Sequence, residues 1–112
     1  MGRWLDQYVA GDRIGVWASM VSMDRIIGLT DDEAADASEV AIETMRRARF
    51  NVEMLVERLP ATGYVFQPGE GLQTYLPPMP TAAKELATLE LRIGSLPLSL
   101  RSWYLEVGEV NL

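Results

Sequence analysis

Apolar side chains recur at intervals of three and four residues through most of the first sixty positions, a pattern typical of amphipathic helices. The first run covers residues 3–10 and ends at Gly11, a residue that favours a helix stop. Its apolar side chains are Trp4, Leu5, Tyr8 and Val9. We therefore predict a short helix with one buried side.

A second helix is predicted immediately after this stop. The Asp12 side chain can accept a backbone N–H of the first turn, and Gly28 is a suitable residue to end the helix. The apolar side of this helix is predicted at Ile14, Trp17, Met20 and Val21, with Ile27 further along.

The longest predicted helix covers residues 32–59. Thr30 and Glu33 have the spacing of a capping box, and Asp31 and Asp32 suit the positive end of the helix. Small residues dominate the first half of its apolar stripe, so that another helix can approach closely there. The stripe is formed by Ala34, Ala37, Ala41, Met45, Ala48, Val52, Leu55 and Leu59.

Prolines and glycines interrupt the helical pattern after this stripe. Residues 64–66 are predicted as a short strand, and residues 67–80 as a linker that excludes helix. Within the linker, Pro77–Pro80 favours an extended polyproline conformation, and an interdomain spacer is a simpler interpretation than a ligand for a proline-binding groove. The predicted organisation is therefore an α-helical segment 1–66, a linker 67–80 and a C-terminal segment 81–112.

The C-terminal segment alternates helices with glycines. Helices are predicted over 82–93 and 98–107, each followed by a glycine, and Glu109–Leu112 is predicted to begin a strand. The buried face of the last helix is predicted at Leu100, Trp103, Tyr104 and Val107. The expected fold is thus mainly α, with N-terminal helices joined by the linker to a helix pair and the beginning of a strand.

Composition restricts the chemistry. The 112-residue chain has no cysteine and no histidine, which excludes thiol nucleophiles, Cys/His zinc sites and Ser-His-Asp triads. A net charge of −6 makes nucleic acid an unsuitable partner. No apolar run approaches the length of a membrane span, and the sequence predicts a cytoplasmic protein. Nine of its ten basic residues are arginine, which indicates a GC-rich bacterial genome.

Two charged clusters have simple structural interpretations. The carboxylates at Asp31, Asp32, Glu33 and Asp36 lack the spacing of an EF-hand loop, and helix-start electrostatics explain them. The basic cluster Arg46, Arg47 and Arg49 lies among glutamates, which indicates a surface of ion pairs, with anion or RNA binding as the alternative. No metal, cofactor or catalytic residue is therefore predicted.

The C-terminal segment resembles the opening of the SUKH superfamily, which includes fungal cell-wall-assembly regulators and bacterial immunity proteins against toxins. The resemblance lies in the order of helix, glycine, Leu96-Pro97, second helix and Gly108, and in the run Trp103-Tyr104-Leu105-Glu106-Val107. Family members often have a second glycine where this chain has Glu109. Because the family's sheet follows this point, the resemblance implies that 81–112 is an incomplete copy of an α+β domain.

The resemblance implies a non-enzymatic module that binds a protein partner, such as a toxin domain. Arg101, Trp103, Tyr104 and Glu106 are the candidate partner contacts. For Trp103 and Tyr104 the alternative is core packing, which the resemblance favours because this helix packs against the sheet in the family. The alternative function is a helical assembly element that packs through the Ala34–Leu59 stripe against itself or a larger host. An enzyme that uses only Asp, Glu, Tyr, Lys84 and Arg is a third hypothesis, and no arrangement of residues supports it.

Overall fold

The computed structural model describes residues 2–22, 29–69 and 71–111. The chain forms two compact units, Met1–Glu43 and Thr44–Leu112. The architecture is mainly α-helical, as the sequence predicted. In chain order the elements are α1 (Arg3–Ala10), α2 (Arg13–Ser22), α3 (Asp31–Arg58), a 3₁₀ turn (Leu59–Thr62), β1 (Tyr75–Leu76), α4 (Ala82–Ile93), α5 (Leu98–Glu106) and β2 (Glu109–Val110).

The first two helices begin and end close to the predicted residues. Gly11 follows α1 with φ 118°, a left-handed conformation that glycine adopts without steric cost. Asp12 then caps α2, because its Oδ1 accepts the Gly15 N–H at 3.1 Å. The predicted helix end at Gly28 and the apolar contact of Ile27 lie outside the described residues.

The predicted apolar side of α2 is wrong in part, since Trp17 and Met20 are half-buried. Ile14 is 87% exposed and Val21 is also exposed, whereas Val16 is fully buried. The reason is that α2 carries apolar side chains all around its axis, so spacing alone does not identify which side is covered.

A side chain from α3 caps the beginning of α1. The Asp36 carboxylate accepts the backbone N–H of Trp4 at 2.8 Å and that of Leu5 at 3.0 Å. Asp36 is buried, and a Cβ atom at Gly2 would collide with its carboxylate. This carboxylate, attributed from sequence to the start of α3, therefore satisfies two unpaired donors of a different helix.

Helix α3 begins with the predicted capping box. The Glu33 N–H donates to Thr30 Oγ1 and the Thr30 N–H donates to Glu33 Oε1, both at 3.1 Å. The apolar stripe of α3 divides into two parts. Ala37 and Ala41 are buried in its first half, together with Val40, whereas Leu55 in its second half is exposed. The apolar residues of the predicted stripe therefore continue along α3, but the exposed fraction of their side chains rises toward its second half.

The second unit departs from prediction between the 3₁₀ turn and α4. Residues 64–66 have no strand conformation, and the strand in this part of the chain is instead β1, inside the segment predicted as a linker. β1 pairs antiparallel with β2, with Tyr75 opposite Val110 and Leu76 opposite Glu109. The tandem prolines after β1 end it, because proline cannot donate to a strand ladder.

The predicted C-terminal helices agree well with α4 and α5, and the strand predicted from Glu109 begins there. Leu112, the last residue of that predicted strand, lies outside the described residues. The boundary between the two compact units falls within α3, and the domain assignment of 1–66, 67–80 and 81–112 stays a prediction. No helix in the described parts of the chain is both long and apolar enough to cross a bilayer.

Candidate functional site

An open apolar groove of about 500 Å³ is the candidate functional site of the second unit. One wall is the extended stretch from Leu76 to Met79, and another is the face of α4 that carries Leu86 and Leu89. Tyr104 of α5, Gly108 and Glu109 complete it. The remaining lining residues are Ala82 and Glu85. The groove is concave and largely apolar, as binding sites for peptides and small ligands usually are.

Three of the large apolar side chains that line the groove are exposed to solvent. Met79 is 65% exposed, Tyr104 is 47% exposed and Leu89 is 40% exposed, whereas Leu86 is buried at the base. Exposure of neighbouring large apolar side chains is unfavourable in a monomer and is typical of a surface that another molecule covers. The charged lining residues among those described are Glu85 and Glu109, so the rim is acidic.

The two-stranded ribbon holds the proline wall in place. The Tyr75 hydroxyl donates to the Val107 carbonyl oxygen at 2.7 Å, and burial raises the pKa of this phenol. The Asn111 N–H donates to the Thr74 carbonyl oxygen, also at 2.7 Å. Gly108 has φ 95°, and a Cβ there would collide with the Leu76 carbonyl oxygen. Glycine at position 108 therefore allows β1 to approach the end of α5 closely.

The turn between α4 and α5 is fixed by Glu90. Its carboxylate accepts the Leu96 N–H at 3.0 Å and the Arg101 Nε–H at 3.1 Å. The backbone hydrogen bond from Leu96 and, second, the hydrogen bond from Arg101 lower the pKa of Glu90. These contacts set the angle at which α5 presents Tyr104 to the groove.

The predicted buried face of α5 is wrong in part. Val107 is fully buried and Trp103 is half-buried, with its indole N–H donating to the Gly108 carbonyl oxygen at 2.9 Å. Leu100 and Tyr104 are exposed. Ser102 is buried instead, because the apolar residues of this nine-residue helix lie on several sides and the polar serine shares the covered one.

The four residues predicted to contact a partner do not lie together in one site. Tyr104 lines the groove, whereas Trp103 is bonded to Gly108 and Arg101 to Glu90. Glu106 lies 3.9 Å from Arg46, measured from Oε2 to Nε. Three of the four therefore make contacts within the chain, and Tyr104 faces the open groove.

Sequence reasoning missed most of the groove. Pro77–Met79 was predicted as a spacer, yet it forms one wall. The sequence predicts the helix 82–93 without identifying its groove face, although Ala82, Leu86 and Leu89 have the spacing of one helix face. That spacing was the available signal, but the pairing of β1 with β2 links residues over thirty positions apart and has no local signature.

The other charged clusters give no second site. Arg49 forms an ion pair with Glu53 at 2.8 Å, as the predicted surface of ion pairs required, and Arg46 approaches Glu106. Within residues 2–22, 29–69 and 71–111, no group of three or more acidic side chains could hold a metal ion.

Comparisons of the chain with protein-family models, with curated proteins and with solved structures found no match.

Proposed function

We propose that this chain is a non-enzymatic protein-binding module that works in the cytoplasm. The observation that carries the proposal is the open apolar groove between the Leu76–Met79 stretch, α4 and α5. Most of its lining is apolar, which suits the covering of a partner surface better than bond chemistry. A surface of this kind can cover a partner without making or breaking a bond.

The proposed partner segment combines large apolar side chains with a neighbouring lysine or arginine. The apolar side chains would remove Met79, Leu89 and Tyr104 from water, and the cation would lie against Glu85 or Glu109. Acidic rims around an apolar centre favour basic partners mainly through association rate and specificity. Because a groove of about 500 Å³ offers less contact than a standard protein interface, we expect weak, reversible binding.

We further propose that the helix pair and strand are related to the SUKH opening segment, with a toxin domain or a regulatory protein as the partner. The order α4, Gly94, α5, Gly108 and β2 supports this relationship. The α4 and α5 sides of the groove lie within the part of the chain that carries the resemblance, whereas the wall formed by Leu76–Met79 precedes it.

The experiment is a selection of displayed random peptides on the full chain. Apolar peptides with lysine or arginine beside the apolar residues are the expected result. A parallel selection on the variant Glu85→Lys with Glu109→Lys should lose that basic preference. Enrichment of acidic or purely polar peptides on the unchanged chain would contradict the proposal.

Paired variants on one helix then locate the contact. Leu89→Asp should weaken binding of a selected peptide at least about tenfold. Leu91→Asp is the matched control, because Leu91 is 90% exposed on the same helix and does not line the groove. Equal loss in both variants, or loss in neither, would show that the peptide binds elsewhere.

A further inference from the structure

The C-terminal half of α3 carries a second exposed apolar surface, which shares no residue with the groove lining. Phe50 is 61% exposed, Leu55 is exposed, and Met54 lies between them on the same face. A shallow depression of about 400 Å³ follows this face, lined by Asn51, Met54, Leu55, Arg58, Leu59 and Thr62. We call Phe50, Met54, Leu55 and Arg58 the α3 face.

The charge around the α3 face is the opposite of that around the groove. Residues 46–58 contain four arginines and two glutamates, and Arg58 lies exposed on the face itself. Two of those arginines are paired with glutamates, Arg49 with Glu53 and Arg46 with Glu106, so the cation that the α3 face presents is Arg58. The groove, in contrast, has Glu85 and Glu109 at its rim. One surface is therefore apolar and basic, and the other is apolar and acidic.

The α3 face also has the spacing of anchors that a groove can accept from a helix. Phe50, Met54 and Arg58 lie four residues apart along one side of α3. The groove is concave and apolar at its base. An amphipathic helix whose anchors follow this spacing is the usual occupant of such a groove.

We infer that the groove accepts the α3 face of a second copy of this chain. The inference rests on the proposed function, because it identifies one partner for the same groove. In this arrangement Phe50 and Met54 enter the groove and Arg58 approaches its glutamates. The contact joins two different surfaces, so it is heterologous and can continue from copy to copy into a ring or a chain.

The assembly surface inferred from the structure differs from the Ala34–Leu59 stripe that the sequence predicts as an assembly surface. The stripe included Ala37 and Ala41, which are buried and therefore closed to a second chain. Only the second half of α3 remains open, and a contact of this length buries less than a standard stable interface. A weak, concentration-dependent association is the expected consequence.

Sedimentation velocity of the full chain over a concentration series tests the inference. The unchanged chain should form species larger than a dimer as its concentration rises. Phe50→Asp, which damages the α3 face, and Leu89→Asp, which damages the groove, should each abolish this association. Val65→Asp is the control, because Val65 is exposed and belongs to neither surface.

Mixing the two defective variants is the decisive step. Each retains one intact surface, so an equal mixture of Phe50→Asp and Leu89→Asp should form a heterodimer that cannot grow further. If Leu89→Asp still associates by itself, the contact does not use the groove and the inference is overturned. A mixture that stays monomeric, or a chain that is monomeric at all concentrations, also overturns it.

The peptide assay separates this inference from the proposed function. Phe50→Asp should bind a selected peptide as tightly as the unchanged chain, because its groove is intact. If peptide binding is normal but the chain does not self-associate, the inference fails and the proposed function stands. If Leu89→Asp binds the peptide normally, the proposed groove itself fails.

Discussion

Two apolar regions of this molecule have opposite relations to solvent. In the first half of α3, Ala37, Val40 and Ala41 are fully buried. In the groove, Met79, Leu89 and Tyr104 present comparable or larger apolar surfaces to water. Buried apolar surface stabilises a fold, whereas exposed neighbouring apolar surface is available to a partner. Substitutions in the first region should therefore reduce stability, and those in the second should reduce binding with little effect on stability.

The largest expected effect is that of Ala41→Glu. Ala41 is 0% exposed, so a glutamate there must either bury an unpaired carboxylate or force the packing open. We expect the free energy of unfolding to fall by about 3–5 kcal/mol, measured by urea denaturation. Ala87→Glu makes the same change at an exposed position of α4 and should alter stability by no more than about 0.5 kcal/mol. A similar loss of unfolding free energy in both variants would contradict the difference between the buried and exposed positions.

A smaller effect is expected from Asp36→Ala. This change leaves the Trp4 and Leu5 backbone N–H groups without their acceptor, and the loss should be about 1–3 kcal/mol. Amide hydrogen exchange at Trp4 and Leu5 should accelerate at the same time. Asp32→Ala is the control, because it removes an exposed carboxylate from the first turn of α3 and should cost less than about 1 kcal/mol. Unchanged exchange at Trp4 in Asp36→Ala would exclude the cap.

The smallest effect on stability is expected at the turn between α4 and α5, which positions Tyr104. The pKa of Glu90 is lower in the folded chain than in the unfolded chain, so its stabilisation is complete above the unfolded-state pKa. It is then lost as the pH falls below 4.5, the ordinary pKa of this group, and through the lower folded-state pKa. Glu90→Gln should therefore flatten the fall in stability over this interval, measured by thermal unfolding at several pH values.

Arg101→Gln separates the two causes of this shift. It removes the weaker contributor and leaves the Leu96 hydrogen bond in place, so it should flatten the pH profile less than Glu90→Gln does. If the profiles of the unchanged chain and Glu90→Gln coincide, the hydrogen bonds of Glu90 do not hold this turn in solution.

Local patterns predicted the helices well, because the signals for helix beginnings and ends are close in sequence. The Thr30–Glu33 capping box and the Asp12 cap formed as their spacing indicated. The strand predicted at 64–66 was wrong, because a short β-prone run forms a strand only when a partner strand lies beside it. That partner, β2, pairs with Tyr75–Leu76 instead.

Contacts between distant positions account for what the sequence did not predict. The cap by Asp36 joins residues over thirty positions apart, and so does the bond from Tyr75 to Val107. Periodicity showed that α2 and α5 carry apolar residues, but not which of their sides are covered, as the exposure of Ile14 and Tyr104 illustrates. The groove was missed for the same reason, because its walls come from separate segments of the chain.

A methyl NMR titration of the full chain with a peptide selected on it would locate the binding site residue by residue. We expect the methyl signals of Leu76, Leu86 and Leu89 to shift together with the ring signals of Tyr104. Those of Leu91 and Ile93, which are exposed on α4 and do not line the groove, should stay in place. Shifts at Leu91 and Ile93, with none at Leu86 and Leu89, would contradict the assignment of the groove as the protein-binding site.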